Sequence, residues 1–173
     1  MTAWDAIRTV RVVRSFAARS LAAEHLQRIV DAGRHAGSSK NQQRWDFIVV
    51  RERAALTALA EVGAYAGHLA DAALAVALVT PGSRATAAPA SVMWDLGRAA
   101  QNMVLAAWEL GVGSCPATVY DQTLVARLLG LPEDRRCDFL LSFGYPAEPD
   151  ILIAPPRRGG RKPLSSIVRQ ERW

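Results

Sequence analysis

Apolar residues recur along this chain with two periods, and the changes from one period to the other mark out its elements. Trp4, Ile7 and Val10 follow at helical spacing behind Thr2 and Asp5, a pair able to form a capping box, which predicts a short first helix ending near Arg11. Ser20 can cap a second helix, in which Leu26, Ile29, Val30 and Gly33 share one face and which closes near Gly37. The β-branched run "DFIVVRE" predicts a strand, Leu56 and Leu59 place a helix over 53–62, and "ALAVALVT" predicts a second, fully buried strand. Residues 81–90, "PGSRATAAPA", predict a loop or a mobile lid. From Ser91 to Leu110 apolar residues appear on every side, so this helix is expected to be buried all round, with a second copy of the chain covering one side. Gly111 and Gly113 stop it. Asp121 caps a helix carrying Val125, Leu128 and Leu129, and "CDFLLSFGYP" predicts a third strand before a Pro- and Arg-rich tail that turns weakly helical.

Strands separated by helices admit a parallel doubly wound sheet, but no GxGxxG or GxxxxGK follows any strand. An α+β arrangement, a sheet flanked by helices in a single domain over 1–173, fits better. The length of 173 residues and the even split between apolar and other residues suit one domain with a sizeable core. Charge adds a preference for ligand. Of the 21 basic side chains all but Lys40 and Lys162 are arginine, and the net charge is +5, which favours planar recognition of phosphate or carboxylate. The few aromatics do not interleave with those arginines as a stacking platform for nucleic acid requires, so no nucleic-acid partner is expected. Cys115 and Cys137 lack metal-site spacing and read as reduced core thiols. The longest apolar run, Ala72 to Val79, is far short of a membrane span, and "MTAWDAIRTVR" carries early charge, so a cytoplasmic chain with no membrane partner is expected.

His25, His35 and His68 stand without a Ser or Cys nucleophile signature, and each reads as a helix-surface residue. No metal set is visible. If the chain is an enzyme, a cofactor carries the reaction and the protein supplies binding and orientation. Anchors for an anionic cofactor are offered by Arg11 with Arg14, by Ser38, Asn41 and Gln43 in "GSSKNQQRWDF", and by "RRGGRK" at 157–162, although a solvated basic helix end and a basic surface turn remain open readings of the two arginine sets. The polar stretch 37–44 directly precedes a strand, with Trp45 and Phe47 to fasten it to the core.

"RVVRSF" (11–16) and "GSSKNQQRWDFIVV" (37–50) resemble motifs of the flavin-dependent nitroreductase family. The similarity continues through "DLGRAAQNMVLAAWELGVGSCP" (95–116), "LGLPEDRRCDFLLSFGYPAEP" (129–149) and "RKPLSSIV" (161–168). The resemblance implies an α+β sandwich with a central, mainly antiparallel sheet, and FMN held at the interface of a homodimer. It implies Arg11 and Arg161 as phosphate ligands, Arg14 as the basic and catalytic group beside the flavin pyrimidine, Ser38, Asn41 and Gln43 as hydrogen-bond partners, and the backbone around Ala117 facing the flavin. It further implies NADH or NADPH as co-substrate and a small electron-poor acceptor such as a nitroaromatic or a quinone. Val10 and Val12 stand where the family often carries phosphate donors, and Arg44 replaces a usual proline. A specialised enzyme of the same superfamily and a flavin-storage protein are the alternatives.

Overall fold

The computed structural model describes residues 1–155 and 160–173. Four strands form one antiparallel sheet in the order β1-β2-β4-β3: β1 Asp46–Val50, β2 Leu74–Pro81, β3 Gly113–Thr118 and β4 Arg135–Gly144. Around it pack α1 Ala3–Thr9, α2 Ala23–Arg34, α3 Arg53–Leu59, α4 Ala90–Glu109 and α5 Gln122–Leu129. β2 shows why the sheet is central. Its Ala75, Ala77 and Val79 face a core with Leu56 and Leu59 of α3 and Val125 of α5, while Leu74, Val76 and Leu78 face Leu26 and Ile29 of α2 and Leu96 and Met103 of α4. The period-2 alternation of a strand thus feeds two apolar layers, which explains its continuous hydrophobic run.

Several local expectations hold for the reasons that prompted them. Thr2 and Asp5 form the capping box of α1, Asp121 accepts the Leu124 N–H at 2.8 Å, and Gly130 ends α5 in the left-handed conformation. Others need correction. Ser20 caps nothing: α2 starts at Ala23 behind Ala22, which offers no side-chain cap, and it ends at Arg34 rather than Gly37. The α3 helix stops at Leu59, and the chain reaches Val62 as a turn.

The largest omission is β3. Gly113 opens this strand instead of stopping α4, which Gly111 does alone with φ +71°. A Cβ at Gly113 would lie 2.6 Å from Cβ of Val13, so the missing side chain lets residues 10–16 lie against the sheet. Val13 N–H donates to the Ser114 carbonyl at 2.9 Å, and Phe16 bridges to Pro146. Val13, Phe16, Ala72 and Trp108 form a third core there, with Val10, Ile151 and Leu152 packed on it.

Helix α4 is not buried all round within one chain. Val92, Leu96, Ala99, Met103 and Ala107 face inward, whereas Trp94 is 73% exposed and Gly97, Arg98 and Gln101 are also open to solvent. Loop 82–89 is tied to the sheet: the Arg136 guanidinium donates to the carbonyls of Ser83 at 3.0 Å and Arg84 at 2.8 Å. Among the described residues no helix is long and apolar enough to cross a membrane.

Candidate active site

The residues singled out in the sequence rest on two different supports. The first is α4, which carries loop 37–43. Asp95, only 6% exposed, accepts the Ser39 N–H at 2.8 Å, and a Cβ on Gly37 would meet Arg98 Nη2 at 2.6 Å. Within the loop Ser38 Oγ accepts the Gln43 N–H at 2.9 Å, and Asn41 Oδ1 accepts Gln43 Nε2 at 3.2 Å. Lys40, Asn41 and Gln43 all have positive φ, a conformation that costs non-glycine residues about 1–2 kcal/mol each and gathers where a backbone is shaped for a ligand. The Asn41 and Gln43 side chains are exposed, and Trp45 stacks with Phe47 at 6.5 Å on the core below. Asp95 is the buried post to which this loop is fastened.

The second support is β3. Because Val13 is hydrogen-bonded to Ser114, Arg14 is carried to the strand's flank, where it lines a cleft of about 470 Å³ with Tyr65, Gly67, His68 and Asp71. Among the described residues no carboxylate pairs with the Arg14 guanidinium. Its charge nevertheless reaches the neighbouring groups. Burial pushes the Cys115 thiol above its ordinary value, and Arg14 pulls weakly the other way. Cys137, deeper in the sheet, is pushed up to about 12 by burial, so its thiol stays protonated and unreactive at neutral pH. Both cysteines are free, as expected.

His68 is the residue the sequence reading misplaced. It lies on a single 3-10 turn, Gly67–Leu69, and is 8% exposed rather than on a helix surface. Its Nδ1 is 2.8 Å from Ser142 Oγ, and Ser142 Oγ donates to the Cys115 carbonyl at 3.2 Å. Its Nε2 is buried without a hydrogen-bond partner. Burial holds the imidazole pKa below its ordinary value, against a smaller opposite pull from the Pro116 carbonyl, and Arg14 lowers it further. "GAYAGHLAD" has no periodicity that would have placed this histidine inward. His25 meets Tyr145 Oη at 3.0 Å, and His35 is exposed beside Asp31.

Arg11 is engaged elsewhere: its guanidinium donates to the carbonyls of Ile151, at 3.4 Å, and Ala154. Val12 beside it is 45% exposed and offers no donor. Ala117 lies buried in β3 opposite Leu140, so only its backbone is available to a ligand. Arg161 is exposed; Arg157, Arg158 and Gly159 of the basic tail lie outside the described residues. No hydrogen bond or ion pair among the described residues joins loop 37–43 to the Arg14 cleft.

The chain resembles known proteins in sequence and in fold. The model of the nitroreductase family matches residues 7–82 and 60–145. A relative from Methanothermobacter thermautotrophicus, provisionally named an NADH dehydrogenase/NAD(P)H nitroreductase, is 34% identical over 152 residues, covering 86% of this chain and 79% of its own. One from Archaeoglobus fulgidus with the same provisional name is 33% identical over 174 residues, 96% of each chain. A crystal structure from Bacteroides thetaiotaomicron, also so named, superposes with a TM-score of 0.83 at 26% identity, covering 98% of this chain and 97% of that one. By this family match and by relatives at 33–34% identity over most of its length, the chain belongs to the nitroreductase family.

Proposed function

We propose that the protein is an FMN-dependent oxidoreductase that carries hydride from NADH or NADPH to a small electron-poor acceptor, a nitroaromatic or a quinone. The observation that carries this reading is the Arg14 cleft. Among the described residues the Arg14 guanidinium that lines it has no carboxylate partner, so the cleft carries a positive charge that an electron-rich ligand edge would meet. The residues present fit an FMN. Arg14 and His68 offer polar groups to a ring edge, the β3 backbone at Ala117 offers an approach for the ring, Ser38, Asn41 and Gln43 offer hydrogen bonds, and Arg161 offers charge to the phosphate. Arg11 donates to the Ile151 and Ala154 carbonyls and would have to leave them to meet the phosphate.

Bound FMN would supply the two-electron chemistry, taking hydride from the nicotinamide and yielding it to the acceptor. The chain's own contribution is to hold reactants and charge in place. A guanidinium fixed at the ring edge stabilises whatever negative charge gathers there during reaction, and it does so without reorganising. The strained loop 38–43 is shaped before ligand arrives, because Asp95 and Ser38 hold its backbone. No side-chain base is needed for hydride transfer.

A homodimer is part of the same proposal. Loop 37–43 and the Arg14 cleft rest on different supports, and the open face of α4 carries Trp94, so two copies joined along that face could bring complementary half-sites together. A cytoplasmic location accords with free cysteines and with the absence of a spanning helix among the described residues.

The test is spectroscopic. Purified full-length protein should take up added FMN, and NADH or NADPH should bleach its visible absorption, which an electron-poor acceptor restores. Flavin that binds yet is never bleached by either nicotinamide would make the protein a flavin store. In the same samples Arg14→Gln, which keeps bulk and removes charge, should lower the flavin midpoint potential by about 30 mV, equivalent to about 1.4 kcal/mol.

A further inference from the structure

One short loop holds Lys40 at φ +51°, Asn41 at +54° and Gln43 at +48°, all in the left-handed region. An L side chain there crowds its own backbone, so each residue relaxes unless something outside it holds the chain. The bonds within the loop, from Gln43 N–H to Ser38 Oγ and from Gln43 Nε2 to Asn41 Oδ1, join exposed or half-buried groups for which water competes. The anchor from outside is on α4. Asp95, 6% exposed, takes the Ser39 N–H at 2.8 Å, directly before the first strained residue. One turn later Arg98 Nη2 fills the space that Gly37 leaves open, 2.6 Å from where a Cβ would lie, and Arg98 Nη1 is 4.0 Å from Asp95 Oδ1. Two residues of one helix thus grip the backbone at positions 37 and 39, and among the described residues neither bonds to Asn41 or Gln43.

We propose that Asp95 is a positioning residue for the cofactor. Through the Ser39 N–H it keeps residues 40–43 in their strained shape while the site is empty, so the free energy of shaping the loop is drawn from folding and not from binding. This rests on the flavin reading above, in which Asn41 and Gln43 face FMN. Asp95 then controls affinity without meeting the ligand. When it is removed the empty loop relaxes, and FMN has to restore the left-handed residues as it binds. Glycine adopts that conformation without crowding, so a glycine inside the loop makes Asp95 less necessary.

Variants of the full-length apoprotein test this by titration with FMN, following quenching of flavin fluorescence. Asp95→Ala should bind FMN roughly tenfold more weakly than the parent, the scale of one lost hydrogen bond. Asp95→Asn, whose amide oxygen can accept the same N–H, should stay close to the parent. Lys40→Gly in the Asp95→Ala background should recover much of the lost affinity, although it adds no contact. Because Asp95 is buried, Ser39→Pro supplies the same test from the exposed side: it deletes the N–H behind an already extended Ser38 and should weaken FMN to a similar degree. NMR of the apoprotein needs no flavin. Strong intraresidue cross-peaks between amide and Hα protons, the mark of positive φ, should appear at residues 40, 41 and 43 in the parent and in Asp95→Asn and fade in Asp95→Ala. The proposal is overturned by an Asp95→Ala or Ser39→Pro protein that binds FMN as the parent does, by an Asp95→Asn protein as weak as Asp95→Ala, or by a loss that Lys40→Gly leaves untouched. A parent apoprotein that lacks the cross-peaks overturns it as well. A parent that shows them yet binds no FMN overturns the functional reading, and the assignment to FMN falls with it.

Discussion

His68 illustrates how far one side chain can sit from its sequence-based expectation. His68 was expected on a helix surface, and the residues around which it is instead buried, Ser142 and Cys115, are strand partners far along the chain. Its environment has a measurable consequence. An unfolded histidine takes up a proton near its ordinary pKa of 6.5, whereas burial and the Arg14 charge keep folded His68 neutral to lower pH. The unfolded state then binds more protons, so this contribution to stability is fully present above pH 6.5 and is lost as pH falls from there towards the lowered folded value. Denaturant titrations at pH 7.5 and 5.5 should show a larger acid loss for the parent than for His68→Gln. Equal losses would mean that the imidazole is charged or solvated in the native state. Arg11 is the contrasting residue: its place in the motif was legible, but its partners, two backbone carbonyls of the C-terminal segment, leave no mark in composition or spacing.

At the level of elements, the parts governed by local chemistry were legible and the part governed by close approach was not. Capping residues placed α1 and α5, and the β-branched runs placed β1 and β2. β3 was overlooked because "GSCPAT" contains a glycine, a proline and an alanine, poor in β propensity, with one β-branched residue at its end, and is a strand because β4 pairs along its whole length. The same smallness makes it a support for Arg14. Gly113→Ala would set a methyl 2.6 Å from Val13 Cβ, and overpacking of this kind costs about 1–3 kcal/mol. The substitution should lower the unfolding midpoint and also weaken flavin uptake, because segment 10–16 must move off the strand. A variant destabilised but unchanged in flavin affinity would show that the position of Arg14 does not depend on this contact. Loop 37–43 was recognised by its polar composition, while its fastening to Asp95 required α4 to be in place.

The whole molecule was legible as an α+β domain with a buried long helix, and the correction to that helix is informative. One chain covers only part of α4, leaving Trp94 exposed together with Gly97 and Gln101. All-round burial does not hold within one subunit, and the proposed dimer would cover the open face. Trp94→Glu puts a charge on that face without touching the inner side. Sedimentation or light scattering should show a dimer for the parent and a shift to monomer for the variant, with flavin affinity falling in step. A variant that stays dimeric and binds flavin normally would move the interface elsewhere.

The joint between segment 10–16, the start of β3 and the end of β4 also governs when the protein can become functional. Val12 meets Ser114 and Phe16 meets Pro146, contacts roughly a hundred residues or more apart in sequence, and such distant pairings are made late in folding. A ribosome delivers residues 10–16 long before Pro146. Until then Phe16 has no Pro146 to bridge to, and before Ser114 is made Val12 has no strand to lie against. The emerging chain must carry these side chains exposed until β4 and Pro146 have followed, so the proposed cofactor site can form only after that stretch has been made.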